Sequence, residues 1–225
     1  YGVQRGYIAL GLFRDDQDVE SSPSQFGTVR PGDIKYRDLN GDGVIDDYDK
    51  MPIGFCDIPE ITYGFGGAIE WKGFDVSIFF QGTARVSLFE EGSTIVPFSS
   101  GYKNNDGFLR GVMENRWTVD NPDPNARYPR TIRPSDALDN NNTKKSSFWV
   151  RNAAFLRLKN AEIGYTFPKR WMEKMAIQNL RLYVSGVNLL TWAPDVHLFD
   201  PDLGSGDGRK YPPTRVFNVG LNINF

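Results

Sequence analysis

Residues 61–82 read ITYGFGGAIEWKGFDVSIFFQG, and their alternation decides the fold class. Ile61, Tyr63, Phe65, Gly67, Ile69 and Trp71 fall on one side of an extended chain, and Thr62, Gly64, Gly66, Ala68 and Glu70 on the other. One face is large and apolar and the other small or polar, which is the period of two that a β-strand imposes. Lys72-Gly73 suits the two-residue turn of a hairpin. Phe74, Val76, Ile78 and Phe80 continue the apolar face and Asp75, Ser77 and Gln81 the polar one, with Phe79 as the exception.

The same pattern recurs toward the end of the chain. Phe217, Val219, Leu221, Ile223 and Phe225 alternate with Asn218, Gly220, Asn222 and Asn224. Over Phe155–Phe167 the apolar positions Leu156 and Leu158 run out of phase with Ala161, Ile163, Tyr165 and Phe167, so a bulge is expected near Asn160. Leu180, Leu182, Val184, Leu190 and Trp192 mark another strand, whose face Asn188 interrupts. A first strand is expected over Gly6–Phe13.

The faces opposite the apolar ones carry Asn, Gly, Ser and Gln rather than the Lys, Glu and Thr of a solvated sandwich, which fits a wet and crowded lumen. The connections alternate in length. Long stretches over 14–60, 83–154 and 193–213 are separated by the Lys72-Gly73 turn and a short link after Pro168. Long loops on one side and short turns on the other mark an up-and-down membrane barrel. Trp71, Phe74, Phe167, Trp171 and Trp192 sit near strand ends, where aromatic belts meet the membrane interfaces. The expected fold class is therefore all-β: antiparallel up-and-down strands of an outer-membrane β-barrel with long extracellular loops. It is incomplete, because about six strands cannot enclose a lumen. The chain opens at Tyr1-Gly2-Val3 without a signal peptide and is expected to be the C-terminal portion of a longer protein.

Composition supports this and removes other classes. Aromatics make up 14% of 225 residues and there are 23 glycines, a mixture suited to strands and turns. A net charge of −2, with basic residues scattered, excludes a nucleic-acid partner. Cys56 is alone, so no intrachain disulfide or cysteine zinc site forms, and it is expected to be a small buried residue. No stretch approaches the ~20 apolar residues of a spanning helix. Negative mean hydropathy is compatible with barrel strands, which alternate. Asp139–Thr143 is expected as a loop tip, Pro122, Pro124, Pro129 and Pro134 keep the second long connection irregular, and a helix is expected over 106–117.

Residues 38–49 fit a twelve-residue calcium loop of the EF-hand kind. Asp38, Asn40 and Asp42 occupy positions one, three and five, Gly43 permits the turn at six, Val44 offers a carbonyl at seven, and Ile45 pins position eight. Asp46 at nine ligates through water, and Asp49 at twelve replaces the usual glutamate with a shorter reach. The alternative is a set of Asx-turns without an ion. No flanking helix is visible, so bound Ca2+ would be structural, neutralising crowded aspartates in a long external loop.

Several stretches resemble one family. Gly32–Gly43, Pro59–Gly82, Arg116-Trp117-Thr118, Asn121-Pro122, Tyr128-Pro129-Arg130, Leu156–Asn160 and Asn188–Trp192 are similar, in this order, to segments near the end of SusC/RagA-type TonB-linked outer-membrane proteins. The resemblance implies a barrel of about 22 strands with an N-terminal plug. It further implies uptake of glycans or peptides driven through TonB, which contacts the part absent from this chain, and pairing with a SusD-like surface lipoprotein in the outer membrane of a Gram-negative bacterium. The terminal Phe225 resembles the signal read by outer-membrane assembly machinery. Trp117, Tyr128, Trp149 and His197 are candidates for substrate or partner contact, against a background of local loop packing.

Two other readings compete. A soluble, calcium-stabilised carbohydrate-binding β-module would share the loop and the aromatics. An enzyme would need a poised acid pair, but neither Asp200 with Asp202 nor Glu90 with Glu91 is marked by its surroundings in the sequence. His197 is the single histidine, and Gly204–Gly208 reads as a turn rather than a phosphate loop.

Overall fold

The computed structural model describes residues 2–92, 94–96, 109–132, 141–172, 177–206 and 209–225. Eleven strands occur among the described residues: β1 (Gln4–Gly6), β2 (Ala9–Leu12), β3 (Ile34–Tyr36), β4 (Met51–Ile53), β5 (Ile61–Trp71), β6 (Phe74–Ala84), β7 (Ser87–Phe89), β8 (Val150–Asn152), β9 (Phe155–Thr166), β10 (Asn179–Trp192) and β11 (Val216–Asn224). They divide between two compact units. One comprises Tyr1–Ile58, Val86–Asn152 and Leu203–Lys210, the other Pro59–Arg85, Ala153–Asp202 and Tyr211–Phe225.

The second unit is built on a five-stranded sheet of order β11-β10-β9-β6-β5, antiparallel throughout. Lys72 (φ 49) and Gly73 (φ 89) both take the left-handed conformation at the β5–β6 turn, the geometry that matches the twist of the flanking strands. Register carries the alternation across the sheet. Trp71, Phe74, Tyr165, Leu182 and Leu221 form one row, and Ile69, Val76, Ile163, Val184 and Val219 the next. The expected bulge is present. Pairing steps from Asn160 to Leu158 against both neighbours, leaving Lys159 out of register, while β10 shifts between Val187 and Leu190. Asn188 takes φ 55 there, and its Nδ2 donates to Thr214 O at 2.9 Å. The bulge brings Leu156 and Leu158 onto the face of Ala161, Ile163 and Tyr165, which resolves the phase change in the sequence.

The first unit has a core of its own, with Phe13, Ile34, Tyr36, Leu88, Ile95, Val112 and Tyr128 buried. Its strands form two-stranded pairs: β1 with β4, β2 with β3, and β7 with β8. The segment Gly6–Phe13 lies here rather than in the five-stranded sheet. Tyr7, Leu12 and Phe13 are all buried, so both faces of the segment are covered, which suits a small core better than a wall wet on one side. The stretches read as long loops, 14–60 and 83–154, thus contain strands and the short helices α1 (Asp16–Glu20) and α2 (Arg110–Glu114). The helix expected over 106–117 is realised as α2, while residues 106–108 lie outside the described residues.

The polar run 139–143 differs from the expected loop tip. Residues 139 and 140 lie outside the described residues, but Asn141 and Asn142 are buried. Asn142 Nδ2 donates to Asp33 Oδ1 at 2.8 Å, and its Oδ1 accepts from Ile34 N at 2.8 Å. Arg130 binds both oxygens of Asp33, Nε at 2.7 Å from Oδ1 and Nη2 at 3.0 Å from Oδ2. Asn side chains can replace backbone partners that irregular segments lack, and this is why a polar run is buried here. Short connection 168–178 begins with the helix α3 (Lys169–Met172), and residues 173–176 lie outside the described residues. Pro134 also lies outside them.

Candidate functional site

The two faces of the sheet differ in chemistry. On the apolar face Ile69 is 68% exposed, Trp71 66% and Val219 76%, within one continuous patch over five strands. A protein surrounded by water rarely leaves an apolar patch of this extent, whereas lipid tails accept it. Near the β5–β6 turn, Phe74 stacks on Tyr165 at 4.6 Å, Tyr165 on Phe167 at 5.0 Å, and Phe167 lies 6.1 Å from Trp171. Toward the other strand ends, Phe65 and Phe80 stack at 5.2 Å and Trp192 lies 6.4 Å from Phe80. These two groups stand where interfacial belts are needed.

The opposite face carries paired charge. Arg181 Nε donates to Asp75 Oδ1 at 3.0 Å, and Nη2 donates to Glu162 Oε1 at 2.5 Å. On β9, Arg157 is buried and binds Asp200 and Asp202, with Nε donating to Thr191 Oγ1 at 2.9 Å. The pair Asp200 and Asp202 is thus occupied as counter-ions, not free as an acid–base pair. His197 is exposed and shares a hollow of about 300 Å³ with Thr191, Phe199 and Asp200.

In the first unit, residues 38–49 form a tightly turned loop. Asp38 accepts from Gly41 N at 2.6 Å and Gly43 N at 2.8 Å, Asn40 Oδ1 from Asp42 N at 3.0 Å, and Asp42 Oδ1 from Val44 N at 2.9 Å. The bonds from Gly43 and Gly41 hold the Asp38 carboxyl below its ordinary pKa. Gly43 has φ 84, the turn that position six requires. Asp46 Oδ1 accepts from Tyr48 N at 2.8 Å. Asp49 is fully buried and accepts from Leu39 N at 2.7 Å and Asp46 N at 2.9 Å. The donor set tests unevenly against a hard cation. Asn40 and Asp42 are exposed and Asp38 half-buried, all with further oxygen lone pairs, whereas both Asp49 oxygens close the loop. Among the described residues no cluster of three or more Asp, Glu, His or Cys side chains is drawn together around one point.

The remaining candidates are mostly interior. Trp117 and Tyr128 are buried, with Trp117 packed on Gly32. Burial and the neighbouring Glu90 carboxylate push the Tyr128 hydroxyl above its ordinary pKa. Trp149 is also buried, donates Nε1–H to Asn142 O at 2.9 Å, and lines a cavity with Glu90. Phe225, just after β11, is 79% exposed. Cys56 is buried, as expected. Sequence reading did not find the ion pairs of Glu90 with Arg151, Asp33 with Arg130 and Arg157 with Asp200. Each joins residues far apart in the chain, and no local spacing announces them.

No protein-family model matches the chain. It is 29% identical over 237 aligned residues to TonB-dependent receptor P26 of Formosa agariphila, covering 99% of this chain and 22% of that protein. It is 26% identical over 205 residues to TonB-dependent receptor SusC of Bacteroides thetaiotaomicron, covering 87% of this chain and 18% of SusC. The chain thus spans about a fifth of the length of these relatives. Among solved structures, the RagAB peptide transporter superposes with a TM-score of 0.68 at 20% identity, over 100% of this chain and 23% of that one. This likeness establishes the fold as part of an outer-membrane barrel. The chain is therefore a homologue of one stretch of SusC/RagA-type TonB-dependent receptors, contributing five neighbouring strands of an incomplete outer-membrane β-barrel.

Proposed function

We propose that this chain is the C-terminal barrel portion of a receptor that takes up an oligomeric nutrient, glycan or peptide, across the outer membrane of a Gram-negative bacterium. The carrying observation is the sheet with one continuous apolar face and an opposite face of Asn, Ser, Gly and paired charges. Such a sheet separates lipid from a wet lumen and needs further strands at both β5 and β11 to close. Energy coupling through TonB belongs to parts of the receptor beyond these residues, and a SusD-like surface lipoprotein is the proposed partner for stretches 14–60 and 83–154 as external loops. In this reading no catalytic residue is assigned, since Glu90, Asp200 and Asp202 are all held by arginines. Ca2+ at Asp38, Asn40, Asp42, Val44 and Asp46 would stiffen its loop, with Asp49 closing the ring behind it. A calcium-stabilised soluble module is disfavoured by the exposed apolar face.

The test combines location with growth. Gradient-separated membranes should hold the protein in the outer-membrane fraction, and deletion of its gene should abolish growth on some glycans or peptides as sole carbon source. A protein recovered without detergent in the soluble fraction would refute the reading.

A further inference from the structure

The end of the five-stranded sheet that carries the short connections divides its charge between the two faces. On the polar face Glu70 stands opposite Asp75, and Arg181 is bound by Asp75 and Glu162. Three carboxylates meet one guanidinium there, so that side is net acidic. The apolar side is the reverse. Lys72 Nζ lies 4.7 Å over the ring of Trp71, which belongs to the apolar face. The ammonium is thereby held on the apolar side of the wall, next to the exposed Phe74. Lys169 and Arg170 are exposed on α3 and immediately precede Trp171, whose ring joins the aromatic group through Phe167. Among the described residues none of these three cations has an ion pair with a carboxylate. Lys72 also takes a left-handed position, φ 49, that Asn, Asp or Gly fills with less strain, so the turn alone does not select lysine.

The surroundings define the partner. An exposed tryptophan at the end of an apolar wall sits at the level of lipid headgroups. A lysine stem lying along that ring keeps its ammonium at the same level, above the hydrocarbon. A zwitterionic headgroup brings its own ammonium and leaves the three cations unmatched, whereas a headgroup of net negative charge matches them. A free phosphate or an acidic peptide would match the charge but leave Trp71, Phe74 and Trp171 in water. The short turns of such barrels face the periplasm, which fixes the leaflet.

We propose that Lys72, Lys169 and Arg170, with Trp71 and Trp171, seat the headgroups of anionic phospholipids in the periplasmic leaflet. This rests on the outer-membrane reading and adds a lipid preference to it.

The full receptor, purified in detergent from native outer membranes, is reconstituted in phosphatidylethanolamine vesicles. These carry a trace of photoactivatable lipid with a diazirine beside the glycerol, either phosphatidylglycerol or phosphatidylethanolamine. Mass spectrometry after illumination maps the adducts. The phosphatidylglycerol probe should label residues 69–74 and 167–172 about fivefold or more above the other, the factor that one basic residue near an anionic headgroup supplies. Lys72→Gln, Lys169→Gln and Arg170→Gln combined should remove that excess and leave labelling by the phosphatidylethanolamine probe unchanged, which shows the wall still inserted. Should the combined variant fail to insert, Lys72→Asn decides, since asparagine suits the turn and should still reduce the excess. Equal labelling by the two probes in the unmodified receptor, or an excess that survives in an inserted variant, overturns the proposal alone. Labelling of β5 and β6 by neither probe refutes the outer-membrane reading itself.

Discussion

Arg157 Nη2 stands 2.6 Å from Asp200 Oδ1 and 2.7 Å from Asp200 Oδ2, while Nη1 of the same guanidinium reaches Asp202 Oδ2 at 2.7 Å. One arginine on the polar face of β9 thereby fixes the connection that follows β10. Asp200 and Asp202 keep partial access to solvent and can rehydrate if the arginine is lost. Arg157→Ala should therefore destabilise by about 2–3 kcal/mol, below the range for a wholly buried pair. Limited proteolysis should find residues 193–202 cut faster in the variant. Equal cutting would show that the clamp does not hold the connection.

The apolar face makes a prediction with a sign for each side of the sheet. Ile78 stands midway along it, and Ser77 points the other way. Ile78→Arg should lower stability in lipid by about 2–4 kcal/mol, as arginine does at the midplane of a barrel, and Ser77→Arg by much less. Urea unfolding in lipid vesicles measures both.

Much of this wall was legible before the structure. Ile61–Trp71, Phe74–Gly82 and Phe217–Phe225 alternate because the two faces of the sheet differ in chemistry, and a period of two survives any tertiary detail. The bulge at Lys159 was legible as a broken phase. Gly6–Phe13 does carry a strand, β2, but it lies outside the five-stranded sheet, because Tyr7, Leu12 and Phe13 pack into a small core on both sides. Asn141 and Asn142 misled, since polarity marks a surface only when no buried backbone needs a partner. The Glu90 cavity was invisible, because its lining comes from two stretches far apart in the chain, within 89–96 and 143–149.

Acid should loosen the first unit through Asp18. Its carboxylate accepts from Lys35 Nζ at 2.8 Å and Arg14 N at 3.1 Å, and the Lys35 bond above all holds its pKa below the ordinary carboxylate value. A folded pKa below the unfolded one gives stability that is present above the unfolded value, about 3.9, and is lost as pH falls through the folded value. Thermal unfolding followed from pH 6 to pH 2 should lose less stability in Asp18→Asn than in the unmodified protein. Parallel curves would remove Asp18 from the acid response.

Calcium should raise the melting temperature if the 38–49 loop binds it. Binding to the folded state alone adds about 2.7 kcal/mol at a free concentration 100 times Kd. Chelation should reverse the shift, and Asp42→Ala should abolish it. A melting temperature indifferent to chelator would leave the loop as a set of Asx-turns.

A membrane-spanning wall requires that the apolar face of the sheet, and not the polar one, meets lipid. Nitroxide labels placed singly at Ile69, Val76, Ile163 and Val184, and at Ala68, Ser77 and Ser185, in a Cys56→Ser background and in reconstituted bilayers, report this directly. The first set should be more accessible to oxygen than to a water-soluble nickel chelate, and the second set the reverse. Equal access of the nickel chelate to both sets would contradict a membrane-spanning wall.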